Sequence, residues 1–286
     1  MNICLRDIAA DAQYPASVRR KHMQKQAALI TIGEEDQIFP QLPDYERNAI
    51  LCQPIYPSPE TGEISPQELA AMKEICELAS VTVFIVDSNN TADLTCMKFL
   101  ADMYDQNEAD FIVAACKFGN KQQGTAELLR YLCQKANGLY LIDNNYDYWN
   151  LVIYLCWGLR AFFLHTKSPD AKPEHFDNIR KIFPRRANQL LTIIDTDDSS
   201  CEPDGLLNKL LANETTVQKL NSAYAGYCLL TTTENTSPKH MLENLNVKLA
   251  QCLEHVNSFL TVFQLGTDTD KNYMLTVIAT KKVVIL

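Results

Sequence analysis

A chain of 286 residues is long enough for two domains or one large one. With 47% hydrophobic and 21% charged residues it can bury a full-sized core, which excludes disorder as its main state. A net charge of -9 and a pI near 5.1 argue against a nucleic-acid binder, which would carry a basic face. The most basic run, Arg19-Arg20-Lys21 with Lys25, reads as a solvated helix face. Ten cysteines are scattered without a C-x-x-C pair, and most lie in apolar stretches where Cys behaves as a small hydrophobe. Free thiols, with no basic-then-apolar leader, predict a reducing, cytoplasmic compartment. No apolar run reaches the roughly 20 residues of a membrane span, so no direct membrane insertion is expected.

In chain order, Asn2 to Ile8 reads as a strand, and Pro15 opens a helix running to about Gln26. Ala27 to Ile32 is a second strand closed by Gly33. Ala49 to Cys52 reads as a short strand, and Pro54-Ile55-Tyr56-Pro57-Ser58-Pro59 as a stretch without regular structure. Ser65 caps a helix opened by Pro66 and running to about Leu78. Val81 to Val86 is a β-branched run that reads as a strand covered on both faces. After the polar break Asp87-Ser88-Asn89-Asn90, the apolar spacing of Leu94, Met97, Leu100, Ala101 and Tyr104 predicts a helix capped by Asn90 or Thr91. Strand, tight loop and helix together place a helix N-terminus at the carboxyl edge of a sheet, where many α/β proteins hold a phosphate.

Phe111 to Cys116 is the next buried strand, Thr125 to Asn137 a helix and Leu139 to Ile142 a strand. Tyr148 to Leu164 is a long helix, too apolar all round for a surface element. Two prolines break the stretch from His165 to Pro173, and a short helix spans Glu174 to Phe183. Beyond Asn188 the expected order is a strand at Leu190–Ile194, a helix at Gly205–Leu211, a strand at Gly226–Thr231 and a helix at Met241–His255. The last two strands, Phe259–Leu265 and Tyr273–Thr280, are joined by a Gly266–Asp270 turn that suggests a hairpin. This is an α/β chain: a parallel-sheet, Rossmann-like N-terminal domain, a long central helix and a smaller C-terminal α/β domain.

This layout resembles the FtsZ branch of the FtsZ/tubulin superfamily, and segment order and spacing agree from Asn2 to Thr280. Leu275-Thr276-Val277-Ile278-Ala279-Thr280 is similar to the family's closing strand, R-V-T-V-I-A-T-G. Ala28 to Ile32 with Asp36-Gln37 resembles F-I-A-V-N-T-D-A-Q, and Leu139 to Asn145 resembles the V-I-P-N-D strand and loop. Leu151 to Leu164 takes the place of the core helix, with Gly158 matching one of its glycines. The resemblance implies a nucleotide domain over residues 1–147, a core helix and catalytic loop over 148–187, and an activation domain over 188–286. It also implies GTP binding, and head-to-tail filaments in which one subunit completes the active site of the next.

The residues at the family's sites depart from that pattern. The signature G-G-G-T-G-T-G falls on Asp87, Ser88, Asn89, Asn90, Thr91, Ala92 and Asp93, without a glycine and with two carboxylates that would repel phosphate. Glycines matter there because the backbone must approach the phosphates and turn several N–H groups inward. The first nucleotide loop, G-V-G-G-A-G-G-N, falls on Ile8 to Tyr14, where Ala10 and Asp11 stand among non-glycine residues. The base-contacting Asp of the family falls on Trp149, while Asn144 keeps the Asn of its loop. The catalytic pattern N-x-D-F-x-D, aligned on Phe176, falls on Pro173, His175 and Asn178.

Nothing else in the sequence carries chemistry strongly. The five histidines have no metal spacing, Asp195–Ser200 lacks the EF-hand pattern, and no G-x-S-x-G elbow occurs. The expectation is a degenerate FtsZ-like protein without cofactor, metal or GTP hydrolysis, whose partner is itself, an FtsZ-family protein or another cellular protein. The chain stops six residues after Thr280, so the family's terminal adaptor-binding peptide is not expected. Two alternatives stay open. One is a sensor or enzyme holding another ligand in the remodelled cleft near Asn144 and Trp149. The other is a GTPase with altered loops.

Overall fold

The computed structural model describes residues 26–33, 50–106, 110–116, 125–142, 155–156, 183–197, 203–232, 243–244, 247–249, 258–265 and 273–282. Among the described residues, nine strands form one sheet in the order β2-β1-β3-β4-β5-β6-β9-β7-β8. The N-terminal strands are β1 (Gln26–Ile32), β2 (Ile50–Ile55), β3 (Ala79–Asp87), β4 (Phe111–Cys116) and β5 (Gly138–Leu141). The C-terminal strands are β6 (Gln189–Asp197), β7 (Ala225–Thr232), β8 (Ser258–Leu265) and β9 (Tyr273–Lys282). From β2 to β6 every pairing is parallel. β9 lies antiparallel between β6 and β7, and β8 closes the far side parallel to β7.

Parallel strands covered on both faces must be apolar throughout. In β4 all six residues are buried, and β3 is buried from Val81 to Val86. Three helices cover one face: α1 (Pro66–Leu78), α2 (Thr91–Gln106) and α3 (Thr125–Lys135). They bury Met72, Leu94, Met97, Leu100, Leu129 and Leu132 against Ile30, Phe84, Val86, Phe111 and Val113. At the centre Phe84, Tyr104 and Phe111 meet edge to face, with ring centroids 5.1, 6.0 and 5.5 Å apart. Burying each such ring contributes about 1.5–3 kcal/mol.

A second core lies over the C-terminal strands. There α4 (Pro203–Leu211) and α5 (Glu214–Asn221) pack Leu206, Leu207, Leu210 and Leu220 on Cys228, Leu230, Leu275, Val277 and Ala279. Of the expected core helix, Leu155 and Cys156 are described; both are helical and fully buried. The expected strand at Asn2–Ile8, the helix after Pro15 and the helix at Glu174–Phe183, apart from Phe183 itself, lie outside the described residues.

Two expectations are corrected. The proline stretch does not end β2 before Pro54: the strand runs through Pro54 to Ile55, pairing Pro54 with Thr31. Among the described strands β2 is an edge, the one place where a missing backbone donor leaves no ladder bond unmade. The last two strands do not form a hairpin. β9 inserts between β6 and β7, away from β8, because it is apolar on both faces. Leu275, Val277 and Ala279 enter the second core, while Ile278 and Thr280 are buried as well. A strand with two buried faces belongs inside a sheet.

Candidate functional site

The chain runs from β1 outward to β2, then returns past β1 to β3 and continues through β4 and β5. The direction of travel therefore reverses between β1 and β3. In a doubly wound sheet the ligand crevice opens outside the carboxyl ends of the two strands at that reversal. β1 and β3 are hydrogen-bonded directly to each other, with Ile32 beside Val86. The segments that border the crevice are thus Gly33, after β1, and Asp87 to Asp93, between β3 and the first turn of α2.

The turn after β3 is held by hydrogen bonds among its own polar groups. The Asp87 carboxylate accepts from the Asn89 N–H at 2.8 Å, and the Asn90 N–H donates to the Asp87 carbonyl at 3.2 Å. Ser88 is 1% exposed. Its hydroxyl and its N–H both donate to the Cys116 carbonyl, at 2.6 and 3.0 Å, tying the turn to the end of β4. The Thr125 hydroxyl, at the start of α3, donates to the Ser88 carbonyl at 3.4 Å.

Asn90 is the cap of α2. Its side-chain oxygen accepts from the N–H groups of Ala92 at 3.0 Å and Asp93 at 3.4 Å, and its carbonyl accepts the first helical bond from Leu94. These are donors that a phosphate at a helix N-terminus would use. Thr91, exposed at the first helical position, accepts from the Thr95 hydroxyl through its carbonyl. Of the two residues expected to cap the helix, Asn90 does so.

Asp93 closes the crevice from the helix side. It is 3% exposed, and its carboxylate lies directly over Gly33. A Cβ on Gly33 would stand 2.4 Å from Asp93 Oδ2, and the φ of +82° is itself a conformation that side chains rarely adopt. Gly62, at φ +71°, packs closely on the start of α2, where a Cβ would meet the Ala92 carbonyl at 2.7 Å. Behind Asp93, burial and the Asp93 and Glu68 charges push the Cys96 thiol up to about 12, so it stays protonated and is not a nucleophile.

The structure thus brings Asp87, Ser88, Asn89, Asn90 and Thr91 together in one turn. Ala10, Asp11, Asn144, Trp149, Pro173, His175 and Asn178 lie outside the described residues. Sequence reading missed Gly33 as the other lip of the crevice. Its signal was present: a lone glycine directly after an apolar strand, followed by Glu34-Glu35-Asp36. Among the described residues no group of three or more His, Cys, Asp or Glu is placed to hold a metal ion. Nor is any described helix long and apolar enough to cross a membrane.

A parallel half with its direction reversal, continued in the same sheet by a mixed C-terminal half with β9 running against its neighbours, defines an α/β architecture. That architecture is FtsZ/tubulin-like. No family model and no curated protein matches the chain. Among solved structures it is similar to an empty FtsZ dimer from M. jannaschii, with a TM-score of 0.65 and 10% identity over 97% of this chain and 92% of that one. It is also similar to CetZ2 from Haloferax volcanii, solved as a GTPγS-bound protofilament, with a TM-score of 0.57 and 10% identity over 91% and 93%. A third is TubZ of Clostridium botulinum phage c-st, with a TM-score of 0.52 and 12% identity over 91% and 94%. The fold expected from the resemblance is the fold of this chain.

Proposed function

We propose that this chain is an FtsZ-like protein that neither binds nor hydrolyses GTP and acts through its surfaces, by associating with itself or with an FtsZ-family partner. The observation that carries this reading is the packing of Asn90 and Asp93 beside the carboxyl ends of β1 and β3. Asn90 occupies the α2 donors that a phosphate would need. The Asp93 carboxylate packs on Gly33 where a phosphate oxygen would approach, and adds like charge. Admitting a triphosphate would require uncapping the helix, moving a buried carboxylate and reopening a turn pinned to Cys116. Uncapping alone costs about 1 kcal/mol. Self-association is supported by the similar structures solved as a dimer and as protofilaments. With no γ-phosphate to gate the contact between subunits, assembly would be constitutive or set by the partner. Residues 1–147 and 188–286 would act as the two interaction halves, joined by 148–187.

The test is a titration with a fluorescent guanine nucleotide in the presence of magnesium, paired with light scattering of the unliganded chain. We expect no saturation up to on the order of 1 mM nucleotide, and scattering that does not respond to nucleotide. Saturation at micromolar concentration would overturn the loss of binding. Nucleotide-dependent scattering would return the chain to the gated class.

A further inference from the structure

We infer that the segment from Phe183 to Gln189 is a clasp, closed by Asp105, that makes the two halves of the sheet move as one body. The halves meet at β5 and β6, and that seam is thin. Among the described residues, Leu139 with Leu190 and Tyr140 with Leu191 are in register across it, whereas β6 and β9 pair along their full length from Gln189 to Asp197. Two backbone pairs alone make a weak ladder, so side-chain contacts contribute to any rigidity of the seam.

They lie at the opposite edge of the sheet from the crevice, where α2 and α3 end. Asp105, in the last turn of α2, gathers three cations. Lys135 of α3 lies 2.8 Å from its carboxylate, Arg186 2.7 Å and Arg185 3.4 Å. The Arg185 guanidinium also donates to the Tyr104 and Asp105 carbonyls, the C-terminal carbonyls that a helix leaves without partners. One carboxylate therefore joins α2, α3 and the strand-entry segment. Asn137 makes a second anchor. Its side-chain oxygen accepts from the Phe111 N–H, and its amide donates to Asp110 and to the Phe183 carbonyl. Gln189, 1% exposed, donates from its side chain to the Asn137 carbonyl, and the Cys133 thiol donates to the Gln189 carbonyl.

Between these anchors the backbone is held away from its preferred shape. Arg186 and Asn188 both have positive φ, 56° and 51°, without being glycine. The Nε of Arg185 and the side-chain oxygen of Asn188 are buried without a hydrogen-bond partner. Such a segment persists only where its surroundings over-determine it. Here Asp105 and Asn137 do so, and loss of Asp105 lets the segment relax and the seam open. A contact made on either half is thereby transmitted to the other. This device is independent of whether the crevice binds nucleotide.

Asp105→Asn removes the charge and keeps the shape. Lys98→Gln is the control, because Lys98 pairs with Asp102, one turn before Asp105, and reaches the clasp indirectly, through the 3.6 Å contact of Asp102 with Lys135. The readouts are amide hydrogen exchange over 183–191 and trypsin cleavage after Arg185 and Arg186, with fragments identified by mass. We expect Asp105→Asn to accelerate both by about tenfold or more while β3 and β4 keep their protection, and Lys98→Gln to change neither. Equal rates in the parent and Asp105→Asn would overturn the clasp, as would acceleration spread evenly over β3 and β4. Should Asp105→Asn fail to fold, Arg186→Gln, altered at the more exposed partner, is read by hydrogen exchange alone against the same two outcomes.

Discussion

At the scale of single residues, Gly33 is the described glycine with the least room for a side chain. Alanine there meets two separate obstacles, the left-handed φ and the Asp93 carboxylate. The first costs about 1 kcal/mol and survives any change in Asp93. The second is relieved when Asp93 is shortened. We therefore expect Gly33→Ala to destabilise the chain by about 2–3 kcal/mol in urea unfolding. In the Asp93→Ala background the same change should cost less, with a coupling of about 1 kcal/mol. Additive losses would show that the carboxylate does not press on Gly33. Cys228 gives a second residue-scale test. Burial pushes its thiol up to about 12, and Cys96 is raised to the same level. Both should resist alkylation at pH 8 in the folded chain and react fully in urea. Asp105 gives a third. The Lys135 hydrogen bond, helped by Arg186, holds its carboxyl below the usual carboxylate range. A depressed carboxyl contributes stability that is present above its unfolded pKa and is lost as pH falls through the folded one. The stability gap between the parent and Asp105→Asn should thus be full at pH 7 and shrink between about pH 5 and pH 2.

At the scale of elements, what could be read in advance was whatever local chemistry decides. Ser65 before Pro66, with Glu68 three residues on, spells a helix start. The structure shows the reciprocal box, in which the Glu68 N–H donates to Ser65 Oγ and the Ser65 N–H donates to the Glu68 carboxylate. Ser65→Ala should cost about 1 kcal/mol in thermal or urea unfolding, and Ser65→Asp much less; equal losses would mean the box carries no stability. The β3–turn–α2 unit was legible for the same reason. The elements misread were those decided by distant partners. Pro54 looked like a terminator because its missing N–H is a local fact, while its place on a sheet edge is not. β8 and β9 looked like a hairpin because they are sequence neighbours, while the burial of both faces of β9 depends on α4, β6 and β7. α5 went unread although Asn213 caps it, since Leu220 is the one side chain it is shown to bury, too little for a periodic signal. The candidate site divides in the same way. Its turn could be read as a block of side chains where glycines would be needed, but the lip at Gly33 depends on β1 lying directly beside β3, and strand order is not written in any local stretch.

At the scale of the whole molecule, the proposed loss of nucleotide binding and the proposed clasp lead to one thermodynamic expectation. The cores on the two halves lie on one continuous sheet, so the unfolding of either exposes strand edges of the other, and the chain should melt in a single calorimetric transition. A ligand that binds only the folded state must then shift that transition. At 100 times its Kd it adds about 2.7 kcal/mol, which for a chain of this size raises the Tm by several degrees. If the crevice accepted GTP at on the order of 10 μM, 1 mM nucleotide with magnesium would produce that rise. We expect less than about 1 °C, within what mass action allows for a site that weak or closed. A rise of several degrees specific to guanine nucleotide would mean that Asn90 and Asp93 yield the crevice to a triphosphate. Two resolved transitions would mean instead that the seam at β5 and β6 does not couple the halves, so one scan separates failure at the crevice from failure at the clasp.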